Sequence, residues 1–254
     1  MTERAVYDLL VWAWLGVAVL TVLSLLWITA PYGRHARGGW GPQVSNRVGW
    51  VLMEAPASLA FLGFWLYGGA PLGATALAFL GLWQLHYVYR AFIYPFAVRG
   101  DPARGMPLSI ALMGALFNVV NAYLNARWLF GLGPSLPASW LADPRFLAGA
   151  ALFLGGLATN RWADRVLREL RQPGEHGYKV PRGGLYERIS CPNYFGETVQ
   201  WIGWAVLTWS PGGAVFALWT AANLVPRAVS HHRWYQSKFA DYPPERRAVI
   251  PYVL

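Results

Sequence analysis

The chain has 254 residues, of which 56% are hydrophobic and 13% charged, with a mean hydropathy of +0.30. Soluble domains carry about 25% charged residues, so an ordinary water-soluble domain is excluded and a bilayer is the expected solvent. The net charge of +9 calls for an anionic partner or a topological cause, and the single cysteine excludes an intrachain disulfide as well as Cys-cluster zinc and iron–sulfur centres.

A helix that crosses the hydrocarbon core needs about 20 mainly apolar residues. Leu9 to Ala30 satisfies this without a charge, and it lacks both a preceding basic region and a small-residue cleavage site, so it reads as a retained first span. Val48 to Tyr67 is a second span, interrupted by Glu54 and Pro56, and Leu72 to Phe96 is a third that carries His86, Tyr87 and Arg90. Pro107 to Leu129 is a fourth. Phe146 to about Gln172 starts apolar and turns basic, as a helix leaving the bilayer would. Thr198 to Pro226 is uncharged and is divided by Pro211-Gly212-Gly213 into a sixth and a seventh span. No Ser/Gly-rich or charge-rich linker separates these runs, so one membrane-embedded domain over 1–254 is expected. The fold class is all-α, a polytopic membrane protein with seven transmembrane helices.

Loop charge sets the orientation, because cytoplasmic loops collect Lys and Arg. With the N-terminus outside and the C-terminus cytoplasmic, Arg34, Arg37, Arg47, Arg99, Arg104, the 161–188 segment and the C-terminal tail fall inside, leaving Arg4, Arg127 and Arg145 outside. Topology alone therefore accounts for the basic balance without nucleic acid. The alternative is a specific anionic ligand on the cytoplasmic side.

Several residues bear on that ligand. Asn160, Asp164, Arg168 and Arg171 recur at helical spacing and share one face of the fifth helix. They lead into RQPGEHGYKVPRGGLYERISCPNYFGE, a long loop over 172–195 expected to act as a lid. His231 and Tyr235 lie one helical turn apart, followed by Lys238. The adjacent His231-His232 lack a third ligand at helical spacing, so no metal is expected. Neither G-x-G-x-x-G nor G-x-x-x-x-G-K-[ST] occurs, which removes a Rossmann or P-loop nucleotide site. Pro192 suggests a non-helical entry into the sixth span, from which Asn193 and Glu197 would face a polar cavity. Cys191 reads as a small packing residue. Deeper in the bilayer, Glu54 is a carboxylate in mid-span, where an ionisable group is costly and marks a functional position. Tyr87 stands at a comparable depth. A phenol oriented by that carboxylate would point its hydroxyl at a carbonyl oxygen, whereas pairing of Glu54 with Arg90 or His86 would explain the same residue structurally. Asn118, Asn121 and Asn125 lie near one face of the fourth span, as pocket residues or as interhelical hydrogen bonders.

LRELRQPGEHGYKVPRGGLYERISCPNYFGETVQWIGWAVLTWS, with HHRWYQSKFADYPPERRAVIPYVL, resembles the C-terminal region of the steroid 5α-reductase family, in a bacterial-type homologue. The likeness extends more loosely upstream through PYGRH, LMEAP and QLHYVYRAFIYP. It implies seven transmembrane helices and reduction of a 3-oxo-Δ4 steroid to its 5α-reduced product by hydride from NADPH. Residues 1–130 would then be mainly substrate-side and 131–254 mainly NADPH-binding. Glu54 and Tyr87 match the family's pair that polarises the 3-oxo group. Asn160, Asp164, Arg168, Arg171, Tyr178, Asn193, His231 and Tyr235 match positions around NADPH, and Glu197 one near the nicotinamide amide. Lys179 stands where arginine is also found, and Tyr32, Trp50 and Arg99 match the same cavity. The loop 98–107 is longer and more acidic than its family counterpart, which leaves its cofactor contacts and the role of Arg104 open.

The expected partners are a lipophilic enone and the lipid bilayer, with no obligatory protein partner, in a bacterial inner membrane or an endoplasmic reticulum membrane according to source. Related membrane enzymes keep other readings open: sterol double-bond, polyprenol or enoyl thioester reductases, and isoprenylcysteine-type methyltransferases using S-adenosylmethionine. A non-enzymatic lipid receptor is a further class.

Overall fold

The computed structural model of the chain describes residues 1–29, 35, 39–97, 105–171, 175 and 177–254. Tyr32, Arg99 and Arg104 lie outside the described residues, as do 172–174 and 176 of the long loop. Among the described residues seven helices of fifteen or more residues follow one another. They are α1 (Glu3–Trp27), α2 (Asn46–Tyr67), α3 (Ala74–Val88), α5 (Leu108–Arg127), α6 (Pro144–Glu169), α7 (Pro192–Thr208) and α8 (Pro211–Lys238). A π turn, Tyr89–Ile93, carries α3 into the short α4 (Tyr94–Ala97), and a second, Trp128–Leu132, closes α5.

Three helices, Glu3–Trp27, Asn46–Tyr67 and Leu108–Leu132, are long and apolar enough to cross a membrane on their own. Large side chains on their outer faces, such as Trp12, Leu59 and Leu116, are 60% or more exposed. A membrane protein presents such a surface to lipid, and a soluble one of this size would not.

Helix starts follow from capping chemistry. Thr2 and Ser45 accept hydrogen bonds from the backbone of Ala5 and Val48, and Asp143 caps Arg145 N with Pro144 in the first turn. The same chemistry corrects the expected entry to the sixth span. Helix α7 begins at Pro192, six residues before Thr198, because the first helical position needs no N–H donor and the proline ring presets φ. Asn193 and Glu197 are therefore helical, one turn apart on a single face. Helix α8 likewise continues through Pro226 to Lys238. The all-α expectation needs one addition: β1 (Gln43–Ser45) pairs antiparallel with β2 (Gly105–Pro107), joining the starts of α2 and α5.

Helices α6 and α7 approach closely along a glycine seam. A Cβ on Gly156 would stand 2.5 Å from Gly196 O, and one on Gly196 would stand 2.5 Å from Asn160 N. Gly149 and Gly203 face each other in the same way one heptad along. Small residues let two backbones meet where no side chain fits, a packing mode that serves helices in lipid. Beside the seam lies an aromatic core in which Phe61 stacks on Trp83 with centroids 4.3 Å apart and Trp201 meets Phe216 at 4.2 Å.

The last residues form a strap. Ser190 N and Cys191 N donate to Arg247 O (2.8 Å) and Ala248 O (3.1 Å), and Arg247 N donates to Arg188 O (2.9 Å). Arg246 is fully buried and donates through Nη1 to Pro181 O at 2.9 Å. These bonds anchor the described part of the 172–195 loop to the chain end.

Candidate active site

A cavity of about 1310 Å³ opens among α1, α2, the α3–α4 turn, α5, α6, α7 and α8. Every sequence-expected site residue that the structure describes lines it: Trp50, Glu54, Tyr87, Asn160, Asp164, Arg168, Arg171, Tyr178, Lys179, Asn193, Glu197, His231 and Tyr235. The volume exceeds the roughly 300–1,000 Å³ of ordinary single-ligand pockets, which leaves room for two molecules side by side.

One half is apolar and faces α1 and α5, with Leu20, Ile110, Met113 and Phe117 in its wall. Glu54 enters this half from α2. Its Oε1 accepts from Arg90 Nε at 3.3 Å and its Oε2 from Asn118 Nδ2 at 3.5 Å, while Asn118 also donates to Met53 O at 2.7 Å. The Arg90 pairing that sequence left open is thus present. Tyr87 reaches the cavity from α3, its ring beside Trp83 and Trp201. No hydrogen bond joins Tyr87 to Glu54 among the described residues, though both line the cavity. Asn125 donates through Nδ2 to Asn121 O (2.9 Å) and its Oδ1 accepts from Trp204 Nε1 (2.8 Å). Of the three asparagines, Asn118 alone lines the cavity.

The other half is polar and basic. The close α6–α7 seam brings Asn160, Asp164, Asn193 and Glu197 into one hydrogen-bonded set. Asn160 Nδ2 donates to Asn193 O (3.0 Å) and to Glu197 Oε2 (3.3 Å), and Asn193 Nδ2 donates to Asp164 Oδ1 (3.1 Å). Arg168 Nη1 donates to Tyr89 OH at 3.1 Å, and Lys179 Nζ pairs with Glu175 at 2.6 Å. Tyr178 packs edge-on against Trp234, and Tyr235 stacks on Tyr242. His231 Nε2 lies 3.1 Å from Tyr194 OH, which accepts from Arg227 Nη2 at 2.9 Å.

Arg227, Tyr194 and Tyr94 also line the cavity and were not singled out from sequence. Arg227 sits one helical turn before His231 on α8, a spacing that could have revealed it. Arg90 was read only as a pairing partner for Glu54, yet it also meets Asp164 Oδ2 at 3.6 Å across the cavity. Outside the bilayer-spanning segments, the Glu187 carboxyl is held below the usual range, first by the Gly183 N–H that donates to it at 2.6 Å. Burial holds the His232 imidazole down, with nearby Arg247 adding to it.

The donor set suits an anionic nucleotide. Arg168, Arg171, Lys179 and Arg227 supply positive charge along the polar half, and arginine grips phosphate through its fork. The apolar half offers two oxygen-bearing groups to a lipophilic molecule that carries an acceptor.

Comparison with known proteins bears on the family of the chain. A family model described as 3-oxo-5-alpha-steroid 4-dehydrogenase matches residues 104–254. A steroid 5-alpha-reductase DET2 from Gossypium hirsutum is 44% identical over 242 residues, covering 93% of both chains. A 3-oxo-5-alpha-steroid 4-dehydrogenase 1 from Bos taurus is 39% identical over 262 residues, covering 100% of this chain and 99% of its own. Its counterpart from Homo sapiens is 41% identical over 224 residues, covering 87% and 85%.

Proposed function

The chain belongs to the 3-oxo-5-alpha-steroid 4-dehydrogenase family, and from that premise we propose that it is a multi-pass membrane reductase that uses NADPH to saturate the Δ4 double bond of 3-oxo steroids. Seven spans with the N-terminus outside and the C-terminus cytoplasmic accord with the distribution of arginines along the chain. The observation that carries the reading is one continuous cavity in which an apolar half with Glu54 and Tyr87 adjoins a basic half with Arg168, Arg171 and Lys179. A steroid partitions into lipid and an anionic nucleotide stays in water, so an enzyme joining them needs a slot with both characters.

When bound, reduced nicotinamide supplies a hydride to the steroid C5. Arg168, Arg171, Lys179 and Arg227 would hold the phosphates, with Asn160, Asn193 and Glu197 set to meet amide and hydroxyl groups. Protonated Glu54 and the Tyr87 hydroxyl would each donate a hydrogen bond to the 3-oxo oxygen and draw electron density from the enone, leaving C5 electrophilic. Protonation at C4 then completes the reduction. The aromatic and aliphatic walls exclude water, which makes each such hydrogen bond worth more than it would be in solution.

The test is product analysis. Purified protein in detergent or vesicles, supplied with NADPH and a panel of 3-oxo-Δ4 steroids and other lipid enones, is followed by cofactor absorbance and mass spectrometry. A 5α-reduced 3-oxosteroid is the expected product. NADPH consumption with non-steroidal enones alone would move the assignment to another lipid, and binding of S-adenosylmethionine instead of NADPH would overturn it.

A further inference from the structure

Arg90 stands in the π turn Tyr89–Ile93, a helix irregularity often found at functional positions. Its Nε faces Glu54 Oε1 at 3.3 Å and its Nη1 faces Asp164 Oδ2 at 3.6 Å. A committed charge-assisted bond is shorter, about 2.7–2.9 Å. One guanidinium is therefore divided between two buried carboxylates that come from different helices, α2 and α6. The rings of Trp50 and Tyr94, 4.6 and 5.0 Å from its central carbon, limit where it can move. Asp164 is in turn held by Asn193, and Asn193 by Asn160, so the chain of contacts runs from Glu54 into the polar half.

We infer that Arg90 is a positioning residue for the reduction, which aims Glu54 by being shared with Asp164 across the cavity. The inference rests on the reading of Glu54 as the substrate-facing carboxyl group, which donates to the 3-oxo oxygen when protonated. Were Arg90 committed to Glu54 alone, it would hold that group as the ionised carboxylate, which only accepts hydrogen bonds and so has none to donate to the substrate oxygen. Were it absent, two buried carboxylates would lose their shared counter-charge. The division between partners, at 3.3 and 3.6 Å, leaves Glu54 uncommitted to the ionised form, so that its proton is available to the substrate oxygen.

Lysine separates this role from a merely structural one, because a compact ammonium cannot span both carboxylates as a guanidinium does. Arg90→Lys is expected to lose on the order of 10–100-fold in kcat at saturating NADPH, as misplaced catalytic groups do, with the KM for NADPH nearly unchanged. In Arg90→Lys/Asp164→Asn the ammonium has only Glu54 to serve and commits to it, so kcat should stay at or below that of Arg90→Lys. A folded Arg90→Lys variant with wild-type kcat, or a double variant that recovers toward the wild-type value, overturns the inference. Should Arg90→Lys fail to fold, Asp164→Asn alone decides: releasing Arg90 to Glu54 must lower kcat at saturating NADPH, and a wild-type value refutes the sharing. If the wild type reduces no 3-oxo-Δ4 steroid, the proposed function fails separately. The network is then read without substrate, from the melting shifts of Glu54→Gln, Asp164→Asn and their combination. Shifts that fail to add support one arginine serving both carboxylates; additive shifts overturn it.

Discussion

Glu54 and Tyr87 differ in what sequence could say about them. A carboxylate in mid-span announces itself by its cost, and the structure adds that Arg90 and Asn118 offset this cost while leaving Glu54 in the cavity wall. Removing one donor from a developing oxyanion typically costs about 10²–10³ in kcat. If both groups donate to the 3-oxo oxygen as proposed, Glu54→Leu and Tyr87→Phe, which remove the donor, should each lose roughly two orders of magnitude in turnover of a 3-oxo-Δ4 steroid and keep NADPH affinity, measured by steady-state kinetics and cofactor binding. Arg168 and Arg171 belong to the opposite half. A hydrogen bond to a charged group is worth about 1.5–3 kcal/mol, so Arg168→Ala and Arg171→Ala should each raise the KM for NADPH by about tenfold or more, with kcat at saturation little changed. The periodic placement of Asn160, Asp164, Arg168 and Arg171 made this face legible in advance. That Asp164 also meets Arg90 was not, because the two are 74 positions apart in sequence and meet only when α6 packs beside α3.

At the scale of elements, the α6–α7 pair determines whether the polar half exists. Gly156 and Gly196 lie so close that neither tolerates a Cβ without moving the helices, and Asn160 and Asn193 meet one turn beyond them. Gly156→Leu should cost on the order of 3 kcal/mol by overpacking and weaken NADPH binding, since Asn160 and Asn193 separate. Gly155→Leu, whose added Cβ meets nothing within 4 Å, is the matched control and should melt close to wild type by thermal unfolding in detergent. Sequence places the seven apolar runs well and their ends less well. Helix α7 starts at Pro192 because a proline that breaks a helix in its interior is well suited to the first turn. The π turn at Arg90 left no mark in the apolar pattern, and neither did the short ribbon between 43–45 and 105–107.

For the whole molecule, the C-terminal strap and the 177–191 segment act as one unit over the polar end of the cavity. Ser190 Oγ lies 2.6 Å from His232 Nδ1 and 2.6 Å from Tyr242 OH, which ties α8, the strap and the start of α7 together. Because burial holds the folded-state pKa of His232 below its ordinary value near 6.5, the unfolded chain binds the proton more readily. This contribution to stability is complete above about pH 6.5 and is lost as pH falls through the lower folded value. Melting temperature should accordingly decline below pH 6.5, and His232→Gln should flatten that part of the profile; an unchanged slope would show that the strap is insensitive to this imidazole. Composition and apolar periodicity by themselves determined that this is a helical membrane protein, and the motifs of its C-terminal half determined its family, because both are properties of residues near one another in the chain. Only the tertiary structure decided that Glu54 and Asp164 share one arginine, that four glycines close the α6–α7 seam, and that the chain end holds the loop bearing Tyr178 and Lys179. Those relations join segments tens of residues apart, and the packing of one helix face against another sets them.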